Sequence, residues 1–208
     1  MNFVGNEVPS ATYEKVLSAA MEVFLEDGYR ASMEKIASRA QVAKQTLYNN
    51  FPNKDALFGE VIHYAIRNIP LPITGGGGDL REQLLKFAIA FRRLILSREG
   101  LELHRIVISQ APRFPDLAKA FYKGGAEKVH DALVAFLGEA MDRGLLRRDD
   151  PEFAADVLCN LIMIDRARRL CGCNSPSGQY HSSEKSERIV DCFLRAFSPD
   201  VAKRKNHE

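Results

Sequence analysis

Cysteine is scarce in this chain: four residues in 208, Cys159, Cys171, Cys173 and Cys192. A chain of this length can bury a core without covalent staples, and so few cysteines do not make a disulfide framework; they read as thiols. Long apolar runs are absent as well. No uncharged stretch approaches the roughly 18 residues that a membrane helix needs. The opening MNFVGNEVPSATYEK lacks the basic segment, apolar core and small-residue cleavage site of a secretory signal. These absences predict a cytoplasmic protein with no membrane partner. Net charge is also missing: the formal value is only +2, so bulk charge does not announce a nucleic-acid partner and any such signal must be local. Alternating β-branched runs are nearly absent, which argues against a sheet.

What remains is helical spacing, and it predicts an all-α chain. Thr12 to Asp27 carries Leu17, Ala20, Met21 and Phe24 on one face and stops at Gly28. Ser32 is a competent N-cap for a short helix reaching Ala40. A third helix spans Lys44 to Asn50, and a fourth opens on Asn53 with Leu57, Val61 and Ala65 as its stripe. The stretch NIPLPITGGGGD then places two prolines and four glycines where no helix can continue. It divides an N-terminal unit, 1–70 with its linking helix 53–68, from a second unit, 79–198. In the second unit Asp79 and Glu82 form a capping box. Apolar stripes predict further helices over 80–94, 102–110, 116–122, 126–143, 151–170 and from Ser183 to Phe197, with Gly124-Gly125 read as a break.

The passage KIASRAQVAKQTLYNNF raises a specific question, because its apolar rhythm stutters at Gln41-Val42-Ala43 and resumes at Leu47 and Phe51 with no Gly or Pro. Two helices of about two turns joined by three residues must cross, which leaves one face of the second in water. With Ala43, Leu47 and Phe51 inward, the outward set is Lys44, Gln45, Thr46, Tyr48 and Asn49. One cation, two amides, a hydroxyl and a phenol are groups that reach phosphate oxygens and base edges. Residues 32–54 hold Lys35, Arg39, Lys44 and Lys54 against Glu34 alone, whereas 1–31 are net acidic. The positive field is thus expected around the second helix, with strongly salt-dependent DNA binding.

AMEVFLEDGY followed by SMEKIASRAQVAKQTLYNNFPNKDALF resembles the TetR family of one-component transcriptional regulators, through the spacing of Phe24, Gly28, Ile36, Ala37, Val42, Leu47, Tyr48, Phe51, Lys54 and Leu57. The resemblance implies a helix-turn-helix three-helix unit followed by a larger helical ligand-binding and dimerisation domain. It places Lys44, Gln45, Thr46, Tyr48 and Asn49 on the recognition helix, with Ser32 as a further DNA contact, and implies that Lys54 touches phosphate. Two residues depart from the family pattern: Gln41 stands where many members have Gly, and Ala43 where many have a capping Ser. ELHRIVISQAPRFPDLAKAFY, residues 102–122, is similar to the C-terminal domain of the AefR-like branch, although Gln110 stands where members there commonly carry an acid.

For the second unit, aromatic surface from Phe87, Phe91, Phe114, Phe121 and Tyr122, with Ile108, suits a small hydrophobic or aromatic effector. His104 is either a polar hook in that pocket or a satisfied core histidine. The apolar faces of the last helices are Phe153, Val157, Leu161 and Ile164 on one, Ile189, Phe193 and Phe197 on the other. By the resemblance they pack against a twofold copy, giving a homodimer and a near-palindromic operator. Cys171-x-Cys173 with His181 fits no common zinc signature, so no metal and no cofactor are expected. Nor is there an HExxH, a phosphate-binding glycine loop or a nucleophile elbow. The reading is a repressor released from its operator by an effector; the alternatives are a dimeric helical interaction module or an enzyme without DNA binding.

Overall fold

Eleven α-helices and no strand make up the described part of the chain, in a computed structural model that describes residues 11–67, 71, 78–173 and 183–199. The expected linker over 68–79 falls mostly outside the described residues, as does His181. By packing the chain forms two units, one of residues up to 67 together with 102–126, the other of 68–101 together with 127 onward.

The first unit opens with α1 (Ala11–Asp27), a 3-10 turn at Gly28–Arg30, α2 (Met33–Ala40), α3 (Lys44–Asn50) and α4 (Lys54–Ile66). The caps are the expected ones. Ser32 Oγ accepts from Lys35 N at 3.1 Å and Asn53 Oδ1 from Ala56 N at 2.8 Å. Leu17, Ala20, Phe24, Ile36, Leu47, Phe51, Leu57 and Phe58 close into one core, with Phe24 edge-on to Phe58. At about 25 cal/mol per Å² of apolar surface removed from water, such a set dominates the unit's stability.

Residues 102–126, read from sequence with the second unit, complete this core. Leu103 and Val107 of α6 (Arg98–Gln110) and Leu117 of α7 (Pro115–Phe121) belong to the same buried cluster. The expected break at Gly124-Gly125 is absent. The chain runs through a single wide turn at Tyr122–Ala126 directly into α8 (Glu127–Asp142). The glycines serve close approach rather than freedom. A Cβ on Gly124 would lie 2.4 Å from the Gly59 carbonyl oxygen, and one on Gly125 would lie 2.7 Å from Ile62 Cγ2. Only hydrogen at these positions lets α4 pack against this segment.

The second unit contains α5 (Leu80–Ile95), α8, α9 (Pro151–Ile162), α10 (Arg166–Leu170) and α11 (Ser183–Ala196). Asp79 caps α5 through Glu82 N, and Asp150 caps α9 ahead of Pro151. The single helix expected over 151–170 is interrupted at 163–165. There Asp165, 1% exposed, meets Arg92 of α5 at 2.8 Å and Lys185 of α11 at 2.7 Å, while Arg92 also donates to the Ile162 carbonyl. Bending the helix frees that carbonyl for the guanidinium, which would otherwise be a buried charge without adequate partners.

Candidate nucleic-acid interface

The stutter in the sequence is a helix end followed by a helix start. Gln41 sits at φ 54°, ψ 44°, the only non-glycine with positive φ among the described residues. Val42 N donates to the Ala37 carbonyl and Gln41 N to the Ser38 carbonyl, both at 3.0 Å. This is the Schellman pattern, usually closed by glycine. The chain uses glycine for the same ending at Gly144, where Leu145 N reaches Ala140 O, and at Gly172, where Cys173 N reaches Arg168 O. At Gln41 the side chain is held instead, its Oε1 accepting from Lys15 Nζ of α1 at 3.1 Å. Ala43 heads α3 and gives no side-chain cap, as its methyl must.

The turn leaves α3 standing on Leu47 and Phe51, 0% and 1% exposed. Tyr13 of α1 braces Phe51 with ring centroids 5.1 Å apart. Lys44, Gln45, Tyr48 and Asn49 are exposed along the opposite side, and Thr46 is half-buried. A polar crest over a fixed apolar underside is therefore the local geometry, as the spacing predicts.

The cations are placed differently from the expectation of a concentrated positive field. Lys44 Nζ pairs with Glu34 of α2 at 2.5 Å and lies over the Tyr48 ring. Arg39 is held by Glu26 and Glu22 of α1, and Lys35 by Asp27 and Glu26. The hydrogen bond from Arg39 holds the Glu26 carboxyl below its usual range, and the bond from Lys44 does the same to Glu34. The acidic flank of α1 and the basic edge of α2 neutralise each other.

Lys54 is the largest surprise. Its ammonium donates to the Tyr29 carbonyl at 2.7 Å and the Ala31 carbonyl at 3.2 Å, and sits 4.2 Å from the centroid of the Tyr29 ring. Burial depresses its pKa. Lys54 thus clamps the turn that leads into Ser32. Tyr29 itself donates to Asp55, packs edge-on to Phe58 and stacks obliquely on Phe114, and burial first, then the Asp55 carboxylate, raises its phenol. Sequence reasoning missed Tyr29 because its partners lie 25 or more positions away, and it read Phe114 as aromatic surface for an effector, whereas that ring packs on Tyr29. Ser32 accepts from Lys35 N as the cap, and its hydroxyl donates to the Glu34 carboxylate.

The residues expected to line an effector pocket fall in both units. Phe87 and Phe91 are buried and stacked, centroids 5.3 Å apart, in the second. In the first, His104 packs against Phe121 at 5.5 Å, whereas Ile108 and Tyr122 are more than half exposed. The residues expected at a dimer interface also divide. Phe153 on α9 and Ile164 in the interruption that follows it are exposed, and Val157 and Leu161 of α9 are half-buried. Ile189, Phe193 and Phe197 are instead enclosed within the protomer, with Phe193 stacked on Phe197. The helix that carries Ile189 and Phe193, α11, packs with α5 and α9.

Comparison with known proteins gives matches over nearly the whole chain. Residues 16–61 match the family model of bacterial regulatory proteins of the tetR family, and residues 82–199 match that of the AefR-like transcriptional repressor C-terminal domain. Among curated relatives, the HTH-type transcriptional regulator YdeS of Bacillus subtilis is 31% identical over 50% of this chain and 52% of its own length, so the chain spans about half of that relative. Among solved structures, the flavonoid-responsive regulator FrrA is 32% identical with a TM-score of 0.70, covering 91% of this chain and 98% of that one. A TetR family transcriptional regulator from Pseudomonas syringae pv. tomato is 27% identical with a TM-score of 0.65, covering 90% and 97%.

Proposed function

We propose, on the premise that this chain belongs to the tetR family of bacterial regulatory proteins and carries an AefR-like C-terminal domain, that it is a homodimeric repressor released from its operator by a small hydrophobic or aromatic effector. The family is one of helix-turn-helix transcriptional regulators that bind DNA, not of enzymes. The observation that carries the finer reading is the crest of α3: Lys44, Gln45, Tyr48 and Asn49 exposed above Leu47 and Phe51. Tyr48 and Thr46 supply hydroxyls for phosphates, and Gln45 and Asn49 supply amides for base edges. Lys54 keeps one of its three N–H donors beyond the two spent on carbonyls, and that donor suits a phosphate beside α4.

The exposed apolar side chains of Phe153 on α9 and of Ile164 just beyond it support assembly with a twofold copy. Two reading helices would then address a near-palindromic site in half-sites one or more helical turns apart. An aromatic effector agrees with the aromatic side chains of the regulatory region and with a relative named as flavonoid-responsive. Release requires that the effector bind the two dimer conformations with different affinity. DNA must then weaken effector binding by the same factor. No helix among the described residues is long and apolar enough to cross a membrane, which supports action in the cytoplasm.

Because Lys35, Arg39 and Lys44 already hold carboxylates, DNA must displace ion pairs as well as counterions, and the salt dependence is correspondingly gentler than four unpaired cations would give. A mobility-shift titration against the DNA upstream of the chain's own gene, with sedimentation of the free protein, tests the reading. The expected result is a twofold-symmetric complex of two chains per site. A monomer, or equal affinity for every duplex, would overturn it.

A further inference from the structure

One contact on α3 was not called for by spacing. Gln45 Nε2 donates to Asn49 Oδ1 at 2.8 Å, one helical turn away, with both side chains exposed. Around this pair two other polar side chains are already engaged. Lys44 is drawn aside to Glu34, and Asn50 folds back so that its amide donates to the Thr46 carbonyl at 2.7 Å. Two amides remain at the centre of the crest, and they are tied to each other.

The bond between them decides what they offer outward. Each side-chain amide has two N–H donors and a carbonyl oxygen with two lone pairs. Their mutual bond consumes one Gln45 hydrogen and one Asn49 lone pair, which leaves the Gln45 carbonyl as an acceptor and the Asn49 amino group as a donor. In the major groove adenine presents an acceptor, N7, beside a donor, the N6 amino group; guanine presents two acceptors. The linked amides complement adenine, with Asn49 donating to N7 and Gln45 accepting from N6. Against guanine the Gln45 carbonyl would face O6 with no hydrogen between them. Because each amide already restricts the other, less side-chain freedom is lost when the duplex arrives.

We propose that Gln45 and Asn49 act as one two-residue reader of a single A·T base pair in each half-site, with Asn49 setting specificity as fully as Gln45. The proposal rests on α3 being the DNA-reading element. Full-length protein is used to select duplexes from a randomised library, and affinities for the selected duplex and its G·C-substituted forms are measured for wild type, Gln45→Ala, Asn49→Ala and the double variant. Both positions are solvent-facing, so circular dichroism should show unchanged folding in all four. The expected result is one strongly preferred A·T position per half-site. Each single variant should lose about tenfold discrimination at that same position, and the double variant should lose little more, as coupled residues do. Relaxation at two different base pairs, effects that multiply in the double variant, or selection of G·C at the shared position would overturn the paired reader while leaving α3 as the DNA-binding helix. Enrichment of no duplex by the wild-type protein would overturn the DNA-reading role itself.

Discussion

Replacing Gln41 by glycine tests the turn on which the reading helix depends. Gln41 holds φ 54° in a helix ending that the chain elsewhere closes with Gly144 and Gly172. An L-residue pays about 1 kcal/mol for that left-handed conformation. Gln41 recovers part of it through the Lys15 hydrogen bond, a surface contact contributing about 0.5 kcal/mol. Gln41→Ala removes the side-chain bond and keeps the backbone cost, whereas Gln41→Gly removes both. The two variants should therefore differ by about 1 kcal/mol, with wild type between them, or about 2 to 4 °C in melting temperature for a chain of this size. Thermal unfolding of the three proteins, followed by circular dichroism, reads this directly. DNA affinity of Gln41→Gly should match wild type, because the turn is unchanged. An alanine variant as stable as the glycine variant would show that the left-handed turn carries no backbone cost and that the geometric account of the stutter is mistaken.

Three further outcomes are expected. Lys54→Met leaves the Tyr29 and Ala31 carbonyls without their donor; it should cost about 1 kcal/mol in unfolding experiments and weaken all DNA sequences alike, and unchanged affinity with an unchanged salt slope would remove Lys54 from the phosphate contacts. Gly124→Ala sets a methyl against the Gly59 backbone and should destabilise by about 2 kcal/mol in chemical denaturation; a neutral effect would mean that the α4 contact is loose. Asp165→Asn leaves Arg92 as a buried charge without its carboxylate and should cost about 3 to 5 kcal/mol. Burial pushes the Asp165 carboxyl up, but the bonds from Lys185 and Arg92 outweigh it and hold its pKa below the unfolded value of 3.8. Its stabilisation is therefore full above that value and lost as pH falls below it, so the variant's deficit should shrink in acid.

The reading head was legible in sequence because it is local. The outward set of α3 follows from the four-residue spacing of Leu47 and Phe51, although Ala43, expected inward with them, is exposed, and the caps at Ser32, Asn53, Asp79 and Asp150 act within three residues. What sequence hid depends on distant partners. Gly124 and Gly125 look like breakers until Gly59 and Ile62 are seen against them. Phe193 and Phe197 form an apolar stripe whether it faces a partner or the protomer's own core, and the structure encloses them. The charge count over residues 32–54 was sound, yet α1 lies close enough to cancel much of it through Glu22, Glu26 and Asp27. Residues 102–126 carry the pattern of the C-terminal domain and pack with the N-terminal helices, a distinction that periodicity cannot express.

The most direct test of the central claim is the affinity of a selected duplex for a triple variant, Lys44→Ala, Tyr48→Ala and Asn49→Ala, measured by fluorescence anisotropy beside wild type. All three side chains lie on the exposed crest above an intact Leu47 and Phe51, so the variant should keep its helical content and melt near the wild-type temperature. The account predicts that specific binding falls to the level of random DNA. A folded triple variant that binds the duplex as tightly and as selectively as wild type would contradict it.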